Sequence, residues 1–354
     1  DTTKPTAIFQ APGKGRHYTV SIALTGSIIA NAQNHELKTA LAGQIARAAA
    51  VFCVDEIVVF NDGQSHSRDE HHGRHQHQEN RFNNNDAQAE DEHTGWSDPD
   101  HFLVHLLSYL ECPPHLRRRL FPIHPNLRTA GSLPSLDMPH HLRQHEWCEY
   151  REGVTLPPTS QNQQRTVVDV GLKTTVEMDT LIKPNTRVTH KLPAQPPRKD
   201  DSSPLKAEIV DPTTPRTEAG FYWGYDVRSA PSLSSVFTEC PFEGGYDVSI
   251  GTSERGNVLS SVLPLDLVSS RHAKDFDDNA LHRLPDSFTH LLLVFGGVAG
   301  LEAAAAADED LARQGVKPES VSELFDAWVN VCPGQGSRTI RTEEAVWLGL
   351  AAFR

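Results

Sequence analysis

The stretch NVCPGQGSRTIRTEEAVWLGLAAF, Asn330–Phe353, closes the chain. It sets Pro333, Gly334 and Gly336 within four residues, then Arg338 and Arg341, then a helix-like run. A glycine-rich loop feeding a helix presents backbone N–H groups at the helix N-terminus, a common cradle for a ligand. Glu343 and Glu344 fall where first-turn carboxylates complement the helix dipole. The ligand is not announced as a phosphate. No G-x-G-x-x-G follows the first apolar run, and no G-x-x-x-x-G-K-[ST] occurs.

Two earlier segments share this form: IGTSERG (Ile250–Gly256) and VFGGVAG (Val294–Gly300), each after an apolar run. Loops at the carboxyl ends of strands in an open α/β sheet are where ligands bind. Glycine lets the backbone come close to them. One pocket built by all three is expected. Its residues are Gly251, Thr252, Ser253 and Gly256; Phe295, Gly296, Gly297 and Gly300; and Asn330, Cys332, Pro333, Gly334, Gln335, Gly336, Ser337, Thr339 and Ile340. Phe295 and Ile340 are the apolar side chains suited to a flat ring. A glycine pair after a strand also serves tight packing, and that alternative stands. Bulky residues at Gly334 and Gly336 are expected to abolish ligand binding.

Upstream, YTVSIALTGSII (Tyr18–Ile29) reads as a buried strand and HELKTALAGQIARAAAVFC (His35–Cys53) as a helix. DEIVVFND (Asp55–Asp62) reads as a second strand, and strand–helix–strand begins a parallel α/β sheet. Residues 63–100 hold almost no aliphatic side chain and read as a polar surface insert. Its histidines His66, His71, His72, His75 and His77 are weighed as metal ligands and set aside, so no metal is expected. HFLVHLLSYLECPPHLRRRLF (His101–Phe121) reads as a helix stopped by Pro113-Pro114, with a basic turn at Arg117–Arg119. From Arg151 to Glu218, short alternating segments (TVVDVGL, TTVEMD, TRVTHKL, LKAEIVD) predict an OB-like unit of four or five strands. FYWGYDVR then reads as a strand and the α/β pattern returns. The expected division is 16–150 as the first part of the α/β domain, 151–218 as the β insert, and 219–354 as the second part.

The chain has 354 residues, a net charge of −13 and 38% hydrophobic residues. That balance excludes a uniformly basic nucleic-acid protein while allowing local basic patches. Five scattered cysteines without a C-x-x-C pair read as reduced thiols. No apolar run approaches the roughly 20 residues that span a bilayer, and the opening DTTKPTAIFQAPGKG lacks a signal-peptide core.

GSRTIRTEEA resembles the C-terminal motif of the bacterial ribosomal RNA uridine-N3 methyltransferases, although VFGG keeps only the glycines of their preceding loop. A resemblance over nearly the whole chain carries further. ELKTALAGQIARAAAVFCVDEIVVF, YLECPPHLRRRLFP, GYDVSIGTSERG, VFGGVAGLE and CPGQGSRTIRTEEA are similar to the eukaryotic SPOUT-domain-containing methyltransferase 1 family. The histidine-rich insert departs from its animal members.

That resemblance implies an α/β SPOUT domain ending in a trefoil knot, interrupted by an OB-like insert. It implies S-adenosylmethionine in the three-loop pocket and methylation of an RNA uridine at N3. The final helix, Thr342–Ala352, would build a homo- or heterodimer, and an rRNA target would place the protein in the nucleus, at the nucleolus. For catalysis a cation must steady the developing uracil anion, and Arg47, Arg255 and Arg338 are candidates. Each also has a plain structural reading as an ion-pair or phosphate partner. Glu254 is the candidate base, with Glu302 its rival. RNA contacts are expected from Arg117, Arg118, Arg119, Lys173, Lys183, Arg187, Lys191, Arg198, Lys199, Arg338 and Arg341. The competing function is a ribosome-assembly factor that keeps the fold and binds pre-ribosomal RNA without turnover.

Overall fold

The computed structural model describes residues 15–64, 94–158, 165–196, 205, 207–263 and 283–353. The five histidines of the polar insert, with Arg198 and Lys199, lie outside them. The chain divides into two units. One holds residues up to His17 with Tyr109–His124 and Ser135–Gly224; the other holds Tyr18–Ser108, Pro125–Pro134 and Tyr225–Arg354.

The larger unit is the α/β one. Its strands are β1 (Thr19–Thr25), β2 (Glu56–Phe60), β8 (Asp226–Ala230), β9 (Val248–Val258), β10 (His290–Phe295) and β11 (Ala327–Asn330). They form one sheet in the order β11-β9-β10-β1-β2-β8, every neighbouring pair parallel. β1 and β2 are buried at every position, so they read as continuous apolar runs, as strands covered on both faces do. Phe60, Leu233, Val294, Leu301, Val321 and Phe325 share one core cluster. The helix His35–Val51 starts under an Asn34 cap whose side chain accepts the Leu37 N–H. Its buried face carries Leu41, Ile45, Ala48 and Ala49 as the spacing predicts, but Leu37 is 50% exposed. Residues 94–97 and the helix Pro99–Glu111 show that the stretch read as polar insert regains helical structure before residue 100.

The smaller unit is all β at its centre. Strands β3 (Tyr150–Thr155), β4 (Thr166–Asp169), β5 (Val176–Met178), β6 (Arg187–Lys191) and β7 (Glu208–Val210) form an antiparallel sheet ordered β5-β4-β3-β6-β7. A parallel bridge from Val176 to Leu205 draws the two edges together and curls the sheet, as an OB-like barrel requires. β3 sits in the middle and is buried at all six positions, so it lacks the alternating burial seen in β4. Two readings change here. The basic turn at Arg117–Arg119 is the last turn of a second helix, Pro114–Leu120, with proline at its start. Of FYWGYDVR, Phe221 and Trp223 pack with Leu142, Cys148 and Tyr150 in the β unit's core, and the strand begins only at Asp226, after Gly224 with φ +95°.

A buried charge cluster sits in this unit. Arg187 pairs Glu111 at 2.6 Å and Glu152 at 2.6 Å. Glu152 also accepts from Thr189 Oγ1 at 2.8 Å and Trp223 Nε1 at 2.7 Å. His140 Nε2 lies 2.8 Å from Glu111 Oε1. Burial alone would raise the Glu111 carboxyl, but the Arg187 charge and His140 outweigh it and hold it well below the carboxylate range. Around this cluster, burial lowers His115 and His190, and lowers His141 to about 3.

The signs agree. A histidine depressed in the fold leaves the unfolded chain binding more protons once pH drops below its ordinary 6.5, so stability is lost from there toward 3 for His141. Glu111, also depressed, adds its loss below its ordinary 4.5. We expect denaturant midpoints to fall steadily from pH 7 to pH 4, and a flat profile would contradict the burial of these groups.

Candidate functional site

A cavity of about 720 Å³ opens at the carboxyl ends of β1, β9, β10 and β11. This is the edge where open parallel sheets bind ligands. Pairing puts Leu24, Phe295 and Thr252 level across β1, β10 and β9, so their onward chains leave the sheet side by side. The wall comes from all three glycine-bearing segments: Thr252–Arg255, Phe295–Gly300 with Glu302, and Asn330, Val331, Gln335 and Thr339–Glu343. Residues of all three segments therefore line a single cavity.

The first segment is not a loop. β9 runs unbroken from Val248 to Val258, but its register against β11 jumps. Trp328 pairs Gly251 and Val329 pairs Asn257, six residue steps on β9 (257 − 251) against one on β11 (329 − 328). The surplus bulges into the cavity, the use to which bulges are put beside sites. The return point demands glycine, since a Cβ at Gly256 would lie 2.3 Å from the Val329 carbonyl carbon. At the other end, Gly251 packs beneath Trp328 and Phe325, so its role is packing.

The second segment is a true loop. A Cβ on Gly296 would stand 2.8 Å from the Gly300 carbonyl carbon and the Leu301 nitrogen. One on Gly297 would stand 2.9 Å from Thr25 Oγ1 and 3.0 Å from Asp62 Oδ2 and Ser27 Oγ. Those three groups form their own chain, Ser27 Oγ donating to Asp62 Oδ2 at 2.6 Å and lying 3.1 Å from Thr25 Oγ1. The third segment is tied to both others. Asn330 Nδ2 donates to the Glu254 carbonyl at 2.8 Å, and Asn330 Oδ1 accepts the Cys332 N–H at 2.9 Å. Thr342 Oγ1 donates to the Gly296 carbonyl at 3.0 Å. Glu344 caps the final helix, Thr342–Phe353, by accepting the Arg341 N–H at 2.9 Å.

Several expected site residues lie elsewhere. Gly334, Gly336, Cys332, Pro333 and Ser337 do not line the cavity, and nothing lies within 4 Å of a Cβ at Gly334 or Gly336. Phe295 lines the cavity, while the far end of its ring packs under the final helix, Cζ 2.9 Å from where a Cβ on Gly349 would be. Arg47 is exposed on the first helix, one turn beyond the cavity-facing residues Leu37, Ala40, Leu41 and Gln44. Arg255 does face the cavity, with Nη1 3.8 Å from Glu302 Oε1. Arg338 is exposed and does not line the cavity, whereas Arg341 does. Sequence reading missed the other wall, Ile28, Asn31, Gln33, Leu37 and Gln44. The buried Lys38 holds that wall: its Nζ donates to the Ile29 carbonyl at 2.8 Å and sits 3.4 Å from the Trp96 ring centre. Burial lowers its ammonium to about 8.

The basic residues assigned to RNA divide. Arg187 is committed to Glu111 and Glu152. Arg117 donates to the carbonyls of Cys112 at 2.8 Å and Leu110 at 3.0 Å, and stacks on Tyr109. Lys191 pairs Glu218 at 2.9 Å. These serve the fold. Arg118, Arg119, Lys173 and Lys183 are exposed. Among the described residues no group of three or more metal-binding side chains occurs, and no helix is long and apolar enough to cross a membrane.

The comparisons with known proteins agree with this geometry. A family model described as "Putative RNA methyltransferase" matches residues 19–353. The chain is 45% identical over 347 residues to a human protein named 28S rRNA (uridine-N(3))-methyltransferase, covering 96% of this chain and 79% of that one. The mouse protein of the same name is 44% identical over 349 residues, covering 98% and 78%. The Drosophila melanogaster protein of that name is 41% identical over 350 residues, covering 98% and 64%. A parallel α/β sheet with a glycine-walled cavity at its carboxyl edge, carrying a curled β unit and matched almost end to end, makes this chain a member of that RNA methyltransferase family.

Proposed function

We propose that this protein transfers a methyl group from S-adenosylmethionine to N3 of a uridine in large-subunit ribosomal RNA. The observation that carries the reading is the backbone-walled cavity at the carboxyl edge of the sheet, in a chain that shares 45% of its residues with a protein named for that reaction. The cavity suits this donor. Its wall at Gly296 and Gly297 leaves no room for side chains, so main-chain groups meet the ligand. It has no phosphate-binding motif, and S-adenosylmethionine has no phosphate. Leu41, Ile28 and Ile340 offer apolar surface for the adenine. The bound donor supplies an electrophilic methyl on a sulfonium. The protein's own residues must then hold the uracil, take its N3 proton and balance the charge. Arg255, on the cavity wall beside Glu302, is the cation best placed to steady the uracil anion.

In this reading the final helix ends a trefoil knot threaded past the Gly296–Gly300 loop, which the Thr342–Gly296 hydrogen bond supports. A dimer built on the final helix and residence in the nucleolus rest on the family resemblance; sedimentation and imaging of a tagged protein test them. RNA would lie on Arg118, Arg119, Lys173 and Lys183 rather than on the ion-paired Arg187.

The test joins calorimetric titration of S-adenosylmethionine with mass mapping of rRNA from cells lacking the protein. Micromolar binding and loss of one N3-methyluridine are expected. Binding with no lost modification would instead support the assembly-factor reading.

A further inference from the structure

We propose that Glu343 is the catalytic base of this transfer, its carboxylate taking the N3 proton of the target uracil. The proposal rests on reading the cavity as a uridine-N3 methyltransferase site. Three carboxylates line that cavity: Glu254, Glu302 and Glu343. A base must be fixed within reach of the proton and have a proton affinity close to the operating pH.

Glu254 is not fixed: it is exposed on the bulge of β9, and the Asn330 hydrogen bond holds its main chain, not its carboxylate. Glu302 is turned back on its own loop. Its Oε2 lies 2.5 Å from the Cβ position of Gly300, and its Oε1 faces Arg255 at 3.8 Å. Its carboxylate is thus committed to its own loop and to Arg255.

Glu343 differs from both in its placement. It is 5% exposed and lies in the first turn of the final helix. Thr342 pins that turn to the Gly296 carbonyl at 3.0 Å, which fixes Glu343 relative to the glycine loop. The capping task falls to Glu344, whose Oε2 accepts the Arg341 N–H, and this leaves Glu343 to the cavity. Arg341 Nη1 stands 3.9 Å from Glu343 Oε1, too far for a hydrogen bond.

The charged groups around it are Arg341 and Glu344 on its own segment, Glu254 and Arg255 on β9, and Glu302 beyond the glycine loop. Burial raises the Glu343 carboxyl; its own backbone N–H and Arg341 oppose this, Glu344 adds to it, and the balance is upward. A desolvated carboxylate is a stronger base than a solvated one, and an imide N–H needs one.

The step balances. The N3–H bond breaks and its proton forms an O–H bond on the Glu343 carboxylate. The electron pair left on N3 forms the new N–CH3 bond, and the old S–C pair returns to the sulfur, which becomes a neutral thioether. The proton then leaves Glu343 for solvent.

The test uses the full chain, methyl-labelled S-adenosylmethionine and large-subunit rRNA from cells lacking the protein. For Glu343→Gln we expect unchanged thermal melting and unchanged calorimetric affinity for S-adenosylmethionine. Its kcat should fall roughly 10²–10⁴-fold, the usual worth of a general base. The acid limb of the wild-type pH–rate profile should vanish in Glu343→Gln, and Glu343→Asp should recover part of the rate and the limb. Wild-type turnover by Glu343→Gln at saturating donor would overturn the proposal. So would a loss confined to donor affinity, which would make Glu343 an electrostatic partner of the sulfonium. If the wild-type protein itself moves no label to uridine N3, the site reading fails first and this assignment with it.

Discussion

Gly297→Val is expected to weaken S-adenosylmethionine binding by on the order of a hundredfold, about 2.8 kcal/mol, without unfolding the protein. Even a Cβ would meet Thr25 Oγ1 at 2.9 Å and Asp62 Oδ2 and Ser27 Oγ at 3.0 Å, and valine adds two methyls against that polar trio. Thr25 ends buried β1, Ser27 stands in the turn that follows and Asp62 lies just past β2, so the loop must shift off these groups and the wall it gives the cavity is displaced. Glycines further along the chain behave differently. Gly336→Ala meets nothing within 4 Å and should bind the donor as the wild type does. Gly334→Ala, at φ +73°, carries only the left-handed backbone cost of about 1 kcal/mol. This replaces the expectation that these two glycines control binding. Calorimetry on the three variants separates the cases, and equal affinities for Gly297→Val and Gly336→Ala would remove the Gly296–Gly300 loop from the donor site.

Arg187→Leu is expected to be the most destabilising single change in the β unit. It strands Glu111 and Glu152, whose side chains are 8% and 2% exposed, as two facing carboxylates without a cation. Breaking a buried pair from one side costs about 3–5 kcal/mol. The Arg187 side chain keeps 32% exposure, and solvent screening places the expected loss near the lower end, about 3 kcal/mol. Urea unfolding at pH 7 reads it directly. Arg187→Lys should lose less, because one ammonium satisfies one carboxylate where the guanidinium fork satisfies both. A loss below about 1 kcal/mol for Arg187→Leu would mean that water or protonation neutralises the pair. The same variant tests the earlier RNA assignment, since a residue spent on the fold weakens RNA binding only through stability.

Much of this molecule is legible in the chain alone. The apolar runs at 19–25, 56–60 and 290–295 and the helical spacing of 35–51 give the α/β sheet, because burial on both faces leaves a local signature. The turn-bounded alternating segments between 166 and 210 give the β unit in the same way. The glycine-bearing segments near 252, 297 and 335 announce a ligand cavity, and their motifs point to the family.

What the tertiary structure decided is everything that depends on distant partners. The bulge at Thr252–Gly256 exists only against β11, so the sequence shows a polar loop where a strand continues. Arg187 looks like a free cation until β3 and the end of the helix at Glu111 bring two carboxylates to it. Gly334 and Gly297 look alike in a sequence, yet one faces open space and the other a wall of oxygen atoms. Glu343 and Glu344 stand side by side in the chain, but the helix turns one back to cap its own start and the other into the cavity. Periodicity and composition encode burial, which is a local average. Chemistry depends on which side chains meet, and only the folded chain sets those distances.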